Sequence, residues 1–487
     1  MSDLLHRPLI KINENALARR SLLSLGLAFL LCIGGPAGEA PAADIPDVLL
    51  RIITQENRKI RDSVLGDGTY RGEEGILLLR PETGAALGLV VHHGEAYNEA
   101  LSLLARADEA LSRARGAMST RGNEAHPGDH AREISTSILE HKDLTRQANE
   151  RLRAYASGLD ASVDERLDDK KCEALMTRLL DESLEKTENR LRDALGDFAN
   201  TCAGEKANAS LTPENVRFVN SVFQGFLNKA DPAVAARFDL DKQPPERAAG
   251  DVDGWKDAAG NEVADILKHL EAALEKHLQN GGHPVDPLLF LALMRRESAF
   301  DPRAISYVGA AGLTQIMPKT AEDMGMEGVF RPDYFDRAFA VLGEERKAAR
   351  EAREALFSVT PENPLEPATR ARERMQESLR LQRERKKLFE RYRRELAQKH
   401  SDPRLDPRKA VEYGLRYFSG LMSSQDGDIS LALASYNAGP HRVAQYSGIP
   451  PYKETVRFRN RVLEFYREYL ERLEQLETTV SSRGPSE

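Results

Sequence analysis

The chain has 487 residues, 41% hydrophobic, 30% charged and 6% aromatic, with 69 Lys+Arg against 77 Asp+Glu for a formal net charge of −8. That length predicts two or three domains, and the charge-rich, aromatic-poor composition favours a helix-rich protein over an all-β barrel or sandwich and excludes a polytopic membrane protein. The negative balance offers no global basic field for nucleic acid, and 3 Cys exclude a disulfide scaffold or a four-cysteine zinc site.

Residues 1–43 contain Arg19-Arg20, the apolar run Leu22 to Ile33 and the small-residue stretch Ala40-Pro41-Ala42-Ala43. Together these predict an export signal, and hence a periplasmic or cell-envelope location. The run is shorter than the roughly 20 apolar residues a transmembrane helix needs. Cys32 follows the bulky Leu31, which argues against lipidation there. In an oxidising compartment the remaining Cys172 and Cys202 are expected to pair, with two unpaired buried thiols as the alternative.

Residues 44–280 carry 31 basic and 43 acidic side chains and show apolar residues every three or four positions, which predicts an acidic helical domain. Gly75 to His92 departs from this, with two short apolar runs around Pro81-Glu82-Thr83-Gly84 that fit a hairpin or a helix boundary. No sustained period marks a short helical repeat.

Residues 281–470 have a different texture, with dense Gly, Pro, Tyr and Asn. The charged stretch 338–404 within them reads as an inserted basic helical hairpin; positions 341–400 hold 16 basic and 11 acidic residues. Its two readings are a solvated hairpin laced by i,i+4 ion pairs, and an arm that meets the acidic domain or an anionic envelope polymer. Residues 471–487 form a C-terminal tail.

Asp286-Pro287 is a helix-start signal, followed by Leu288-Leu289-Phe290-Leu291-Ala292-Leu293-Met294, apolar on every face. Glu297 therefore falls on the last turn of a buried helix, where an apolar setting disfavours its charged form and makes it a candidate general acid. Its neighbours Arg295 and Arg296 offer the competing reading of a surface ion pair. Gly309-Ala310-Ala311-Gly312-Leu313-Thr314-Gln315 is a small-residue turn, and Ser435-Tyr436-Asn437-Ala438-Gly439 ends a later helix in a polar, aromatic turn. Asp301, before Pro302, reads as a turn residue.

In order, Glu297-Ser298, Gly312-Leu313-Thr314-Gln315 and Tyr436-Asn437-Ala438-Gly439, supported by Leu405-Asp406-Pro407 and Pro451-Tyr452-Lys453-Glu454-Thr455, resemble the soluble-type (SLT) lytic transglycosylases of glycoside hydrolase family 23, related in fold to goose-type lysozyme. The resemblance covers 286–336 and 402–470. It implies a lysozyme-like catalytic domain carrying the inserted hairpin and says nothing of 44–280; with the helical periodicity read there, the expected architecture is all-α, an N-terminal helical domain followed by that catalytic domain. The resemblance also implies a peptidoglycan lyase that cleaves the β-1,4 bond between N-acetylmuramic acid and N-acetylglucosamine and forms a 1,6-anhydro product. Glu297 would serve as acid, then base, while Ser298, Gln315, Tyr436 and Asn437 would bind or align the sugar. One carboxylate suffices for this, unlike the pair of an ordinary glycosidase.

The expected partners are glycan strands and, through 44–280, an envelope protein, with no nucleic acid, cofactor or metal. Thr314, where the family has Met, is expected to alter a subsite. Phe458, where it often has Tyr, removes a hydroxyl that Tyr452 or Tyr466 would have to replace. The competing functions are a non-catalytic peptidoglycan-binding scaffold and a hydrolytic muramidase of the same fold.

Overall fold

The computed structural model describes residues 45–482 apart from 68, 121–126, 243–253, 261–262 and 400. The export signal expected over 1–43 lies outside these residues. Among the described residues the fold is all-α, with isolated β-bridges and no strand. No described helix is long and apolar enough to cross a membrane, and no described cluster of His, Cys, Asp and Glu is arranged to hold a metal.

The chain begins with α1 (Asp47–Asp67), the short α2 (Pro81–Ala86), and a long helical hairpin made of α3 (Glu95–Ser119) and α4 (Pro127–Ser157). A 3-10 turn (Glu165–Leu167) leads into α5 (Asp169–Lys186), α6 (Leu191–Ala203), α7 (Val216–Lys229) and α8 (Pro232–Ala235). Two connecting helices follow, α9 (Trp255–Ala259) and α10 (Ala264–Gln279).

The same order then returns. It runs through α11 (Pro287–Ser298), α12 (Pro318–Asp323), the hairpin of α13 (Asp333–Phe357) and α14 (Leu365–Gln398), and a 3-10 turn (Pro403–Leu405). It ends with α15 (Pro407–Ser424), α16 (Ile429–Ala438), the extra α17 (Pro440–Gln445) and α18 (Lys453–Ser482). A repeat sought at short period is thus present at nearly half the chain length. Of the two readings of the stretch after Gly75, the helix boundary holds: Pro81-Glu82-Thr83-Gly84 opens α2 in place of a hairpin turn, and an isolated antiparallel bridge pairs Glu74 with Leu79 before it.

Each half is built around one apolar cluster, and that of the N-terminal half also takes in Ala434, Val443, Ile449 and Val456 of the other. In the C-terminal half, Asp286 caps α11 by accepting from the Leu288 and Leu289 amides at 2.8 and 3.4 Å, with Pro287 at the first helical position where no amide is needed. The apolar run Leu288 to Met294 is buried all round because α9, α15, α16 and α18 share its core. In the N-terminal half, Leu49, Ile52 and Ile53 of α1 pack with Leu179 of α5, Leu195 of α6 and Phe223 of α7.

The halves meet in two places. One is the body, where Asn220 donates to the Ile449 carbonyl and Asn460 to the Leu211 carbonyl, each at 2.8 Å, a reciprocal pair across the junction. Beside it lies a buried charge network. Arg192 bonds Asp241 and Asp428, both at 2.8 Å, while Arg459 bonds Asp193 at 2.6 Å and Asp241 at 2.9 Å.

The other meeting place is the hairpin tips. Ala114, Ala117, Met118, Ile134 and Ile138 pack against Ala352, Ala355, Leu356, Ala371 and Met375. Lys142 and Gln376 reach carbonyls across the joint, those of Val359 and Met118, at 2.7 and 2.8 Å. The hairpin's flanks do carry ion pairs at i,i+3 and i,i+4, such as Arg380–Glu377 and Arg391–Glu395. What fastens its tip to the acidic half is apolar, since charge pairs on exposed helices contribute little next to buried methyl groups.

The expected Cys172–Cys202 disulfide is absent: both thiols are free and buried. The Cys172 thiol donates to the Arg166 carbonyl at 3.2 Å, and burial pushes the thiols up to about 11 and about 12, respectively. Buried thiols held protonated are unreactive.

Candidate active site

Glu297 emerges on the last turn of α11, just before Ala299 and Phe300 adopt left-handed backbone with φ of 50 and 65°. That reversal ends the helix and leaves the Glu297 carboxyl partly exposed at the rim of the core. Burial is the chief cause pushing its pKa up to about 8; the Arg296 charge opposes this, and the Glu454 charge adds to it. The ion-pair reading does not hold. Arg295 pairs with Glu468 at 2.6 Å and lies over Phe465, while the Arg296 guanidinium stands 5.6 Å from the centre of the Phe458 ring. Among the described residues Glu297 has neither a salt bridge nor a hydrogen bond to its carboxyl.

Facing Glu297 is the loop 304–317, held by bridges between Ile305 and Ala311 and between Ala311 and Ile316. Gly312 has a φ of 76°, and a Cβ there would lie 1.7 Å from the Arg404 carbonyl oxygen. Gly312→Ala therefore cannot be accommodated without moving backbone. We expect it to cost about 3 kcal/mol or more, seen as a lowered unfolding midpoint in thermal denaturation.

The loop is pinned from behind by Arg404. Its Nη1 donates to the Gly309 and Ile316 carbonyls at 3.0 and 3.3 Å, its Nη2 to the Tyr392 hydroxyl at 2.8 Å, and Asp402 neutralises it at 2.9 Å. Sequence reading did not single out Arg404. Asp402 and Tyr392 hold the guanidinium, but the loop carbonyls it bonds leave no pattern of partner residues to find.

Of the other predicted site residues, Ser298, Gln315 and Tyr436 have side chains occupied in shaping this loop, and Asn437 joins two helix ends. Ser298 donates to the Leu313 carbonyl at 2.9 Å, tying the acid's helix to the loop. Gln315, itself at a φ of 46°, donates to the Ala304 and Gly312 carbonyls at 2.9 and 2.8 Å. Tyr436 donates its hydroxyl to the Thr314 carbonyl at 2.6 Å and lies parallel to Phe458, with ring centres 6.5 Å apart. Asn437 accepts from the Thr455 hydroxyl at 2.8 Å, joining the end of α16 to the start of α18. Burial, and then the nearby Glu297 charge, raises the Tyr436 hydroxyl well above the ordinary tyrosine range, so it remains a donor.

Two expectations are corrected. Thr314 does not touch a subsite; it is fully buried, points into α15 and donates to the Ala410 carbonyl at 3.0 Å. Gly414 makes room for it, since a Cβ there would lie 2.5 Å from the Thr314 methyl. Nor do Tyr452 and Tyr466 supply the hydroxyl missing at Phe458. Tyr466 donates to Asp286 at 2.5 Å, beside the far end of α11, and Tyr452 sits edge-on to Tyr446 with ring centres 5.6 Å apart. Asp301 is the turn residue expected, accepting from the Arg303 amide at 2.8 Å. Sequence reading missed Glu454, whose charge reaches Glu297; its position in the Glu454-Thr455 helix start was the available signal.

Residues 278–338 and 385–456 match the family model described as the transglycosylase SLT domain, and the gap between the two segments falls within the α13–α14 hairpin. Among curated proteins, membrane-bound lytic murein transglycosylase C of Glaesserella parasuis is 38% identical over 61 residues, covering 12% of this chain and 17% of the relative. The protein of the same name from Haemophilus influenzae is 41% identical over 66 residues, covering 12% and 18%. The matched stretch thus spans less than a fifth of these relatives.

Among solved structures, the 70 kDa soluble lytic transglycosylase of Escherichia coli aligns at 15% identity with a TM-score of 0.26, covering 87% of this chain and 72% of that one. The lytic transglycosylase Slt of Pseudomonas aeruginosa aligns at 15% with a TM-score of 0.25, covering 88% and 73%. Across residues 278–338 and 385–456, this chain carries an SLT-type lytic transglycosylase domain.

Proposed function

We propose that this chain is a peptidoglycan lytic transglycosylase of the cell envelope that uses Glu297 first as acid and then as base. The observation that carries the reading is the Glu297 carboxyl, raised to about 8 and left without a hydrogen-bonding partner beside a pinned loop. An acid with that proton affinity is protonated at neutral pH and can donate to a glycosidic oxygen. As it does so, the bond from the muramoyl C1 to the leaving oxygen breaks, and positive charge develops on the ring. The Glu297 carboxylate then takes the proton from the C6 hydroxyl while O6 bonds C1, which closes the 1,6-anhydro ring and restores the acid. No water is consumed, and a single carboxylate performs both transfers.

Ser298, Gln315, Tyr436 and Asn437 act here as positioning residues. Their bonds hold the loop and the two helix ends around the acid, the kind of preorganisation on which such a site depends. Digestion of purified peptidoglycan followed by mass spectrometry of the products tests the reading, and anhydro-muramoyl ends are expected. Hydrated reducing ends would establish a hydrolytic muramidase instead. Sedimentation of the protein with insoluble peptidoglycan, without release of fragments, would establish a non-catalytic binder.

A further inference from the structure

The repeat in element order extends to individual bonds around the acid. In the C-terminal half, the residue after Glu297 ties its helix to the loop carbonyl of Leu313; in the N-terminal half, Asn57, the residue after Glu56, donates to the loop carbonyl of Ile76, and both bonds are 2.9 Å. The two loops run Gly309-Ala310-Ala311-Gly312-Leu313-Thr314-Gln315-Ile316-Met317-Pro318 and Gly72-Glu73-Glu74-Gly75-Ile76-Leu77-Leu78-Leu79-Arg80-Pro81. They reverse at the same three places, with φ of 94, 76 and 46° at Gly309, Gly312 and Gln315 and 87, 74 and 52° at Gly72, Gly75 and Leu78.

Each loop is pinned by the same device. Arg166 donates to the Gly72 and Leu79 carbonyls and to the Tyr155 hydroxyl at 2.7 to 2.8 Å and pairs with Asp164, as Arg404 does with Gly309, Ile316, Tyr392 and Asp402. A Cβ on Gly75 would lie 1.8 Å from the Arg166 carbonyl oxygen, where one on Gly312 would meet that of Arg404 at 1.7 Å.

The aromatic pair behind the acid is kept too. Phe198 and Phe218 have ring centres 6.4 Å apart, against 6.5 Å for Tyr436 and Phe458. Even the sequence agrees there, Glu214-Asn215-Val216-Arg217-Phe218-Val219-Asn220 beside Glu454-Thr455-Val456-Arg457-Phe458-Arg459-Asn460. What differs is polarity at the site: Leu78 stands for Gln315, Phe198 for Tyr436 and Ala199 for Asn437. Glu56, unlike Glu297, is ion-paired, with Lys59 at 3.1 Å.

We infer that the N-terminal half is a second SLT unit whose groove, centred on Glu56, holds an N-acetylated amino-sugar strand without cleaving it. The class of ligand rests on the function proposed above for the C-terminal half; the site itself rests on the matched geometry. Leu78 keeps a left-handed backbone that is unfavourable for a non-glycine residue. Such strain persists where the surrounding structure holds a functional shape. The Glu56 side chain is 17% exposed and so within reach of a ligand at the groove. Cleavage is disabled because the acid is tied to an ammonium and the polar groups that shape its counterpart's surroundings have become apolar.

The test uses the full chain carrying Glu297→Gln, titrated with soluble strands of alternating N-acetylglucosamine and N-acetylmuramic acid, read by hydrogen exchange and by calorimetric stoichiometry. Protection of both 72–80 and 309–318, with two equivalents bound, is expected. Adding Glu56→Arg should abolish the first protection and leave one equivalent. Protection confined to 309–318 would overturn the second site and leave the function proposed for the C-terminal half intact. Protection confined to 72–80 would support the second site and overturn that function, and protection of neither would overturn both. Fragment release that survives Glu297→Gln and disappears on adding Glu56→Gln would overturn the claim that the N-terminal unit is silent.

Discussion

Glu297→Gln is expected to lower the rate of release of anhydro-ended fragments by about 10²- to 10⁴-fold, the span that general acid–base catalysis contributes, measured on purified peptidoglycan. In the wild-type chain, kcat/KM should stay level through neutral pH and fall as pH rises through about 8, because only the protonated carboxyl can begin the reaction.

The same shift predicts a stability effect of definite sign. Between the unfolded value, 4.5, and about 8 the folded chain binds a proton that the unfolded chain has released. Stability therefore falls as pH rises through that window. Glutamine cannot ionise, so Glu297→Gln should match the wild type near pH 4 and exceed it above pH 8 by on the order of a few kcal/mol, at about 1.4 kcal/mol per pH unit of the window. Thermal unfolding at the two pH values checks this. An inactive variant that is no more stable than wild type at high pH would mean that Glu297 is not held protonated by burial.

The second large effect is expected at the junction of the halves. Arg459→Met keeps an unbranched apolar stem but removes the guanidinium of a fully buried arginine that bonds Asp193, Asp241 and the Ser430 hydroxyl. Without it, the buried carboxylates of Asp241 and Asp428 are left sharing Arg192, and Asp193 keeps Arg190 and Arg467 at 3.3 and 3.1 Å. Removing one partner of a buried pair costs about 3–5 kcal/mol, and chemical denaturation should show that loss at neutral pH.

The pH dependence follows from Asp241. Burial opposes its ionisation, but Arg459 and Arg192 outweigh burial and hold its carboxyl far below the usual range. A depressed acid contributes stability above its unfolded pKa and loses it as pH falls through the folded one. The deficit of Arg459→Met should therefore shrink in acid, as the abandoned carboxylates take up protons. A deficit that stayed constant down to pH 2 would argue against charge imbalance as its cause.

The legibility of the site in the sequence was uneven, for reasons particular residues make plain. Glu297 was legible because the buried run Leu288 to Met294 leaves few places where a carboxyl can meet both core and solvent. Ser298, Gln315, Tyr436 and Asn437 were legible as members of the site, but the backbone carbonyls that the first three bond were not, since every residue carries a carbonyl and no pattern marks the one chosen. For the same reason Thr314 read as a subsite change, when Gly414 opens a niche that turns it away from the groove.

Helical character, the uneven division of charge between the halves, and the motifs of one domain interrupted by a hairpin at 286–336 and 402–470 are all readable from the residues in order. These follow from local facts: apolar period, helix-start residues, and short ordered motifs. It takes the folded chain to show that methyl groups fasten the hairpin tip to the acidic half, that Cys172 and Cys202 stay unpaired, and that the order of elements repeats between the halves. Periodicity says that a helix face is buried without saying what buries it. The repeat, for its part, survives in a few glycines, two arginines, two aromatic pairs and a set of left-handed turns. Those features preserve backbone geometry while most of the side chains around them are free to change.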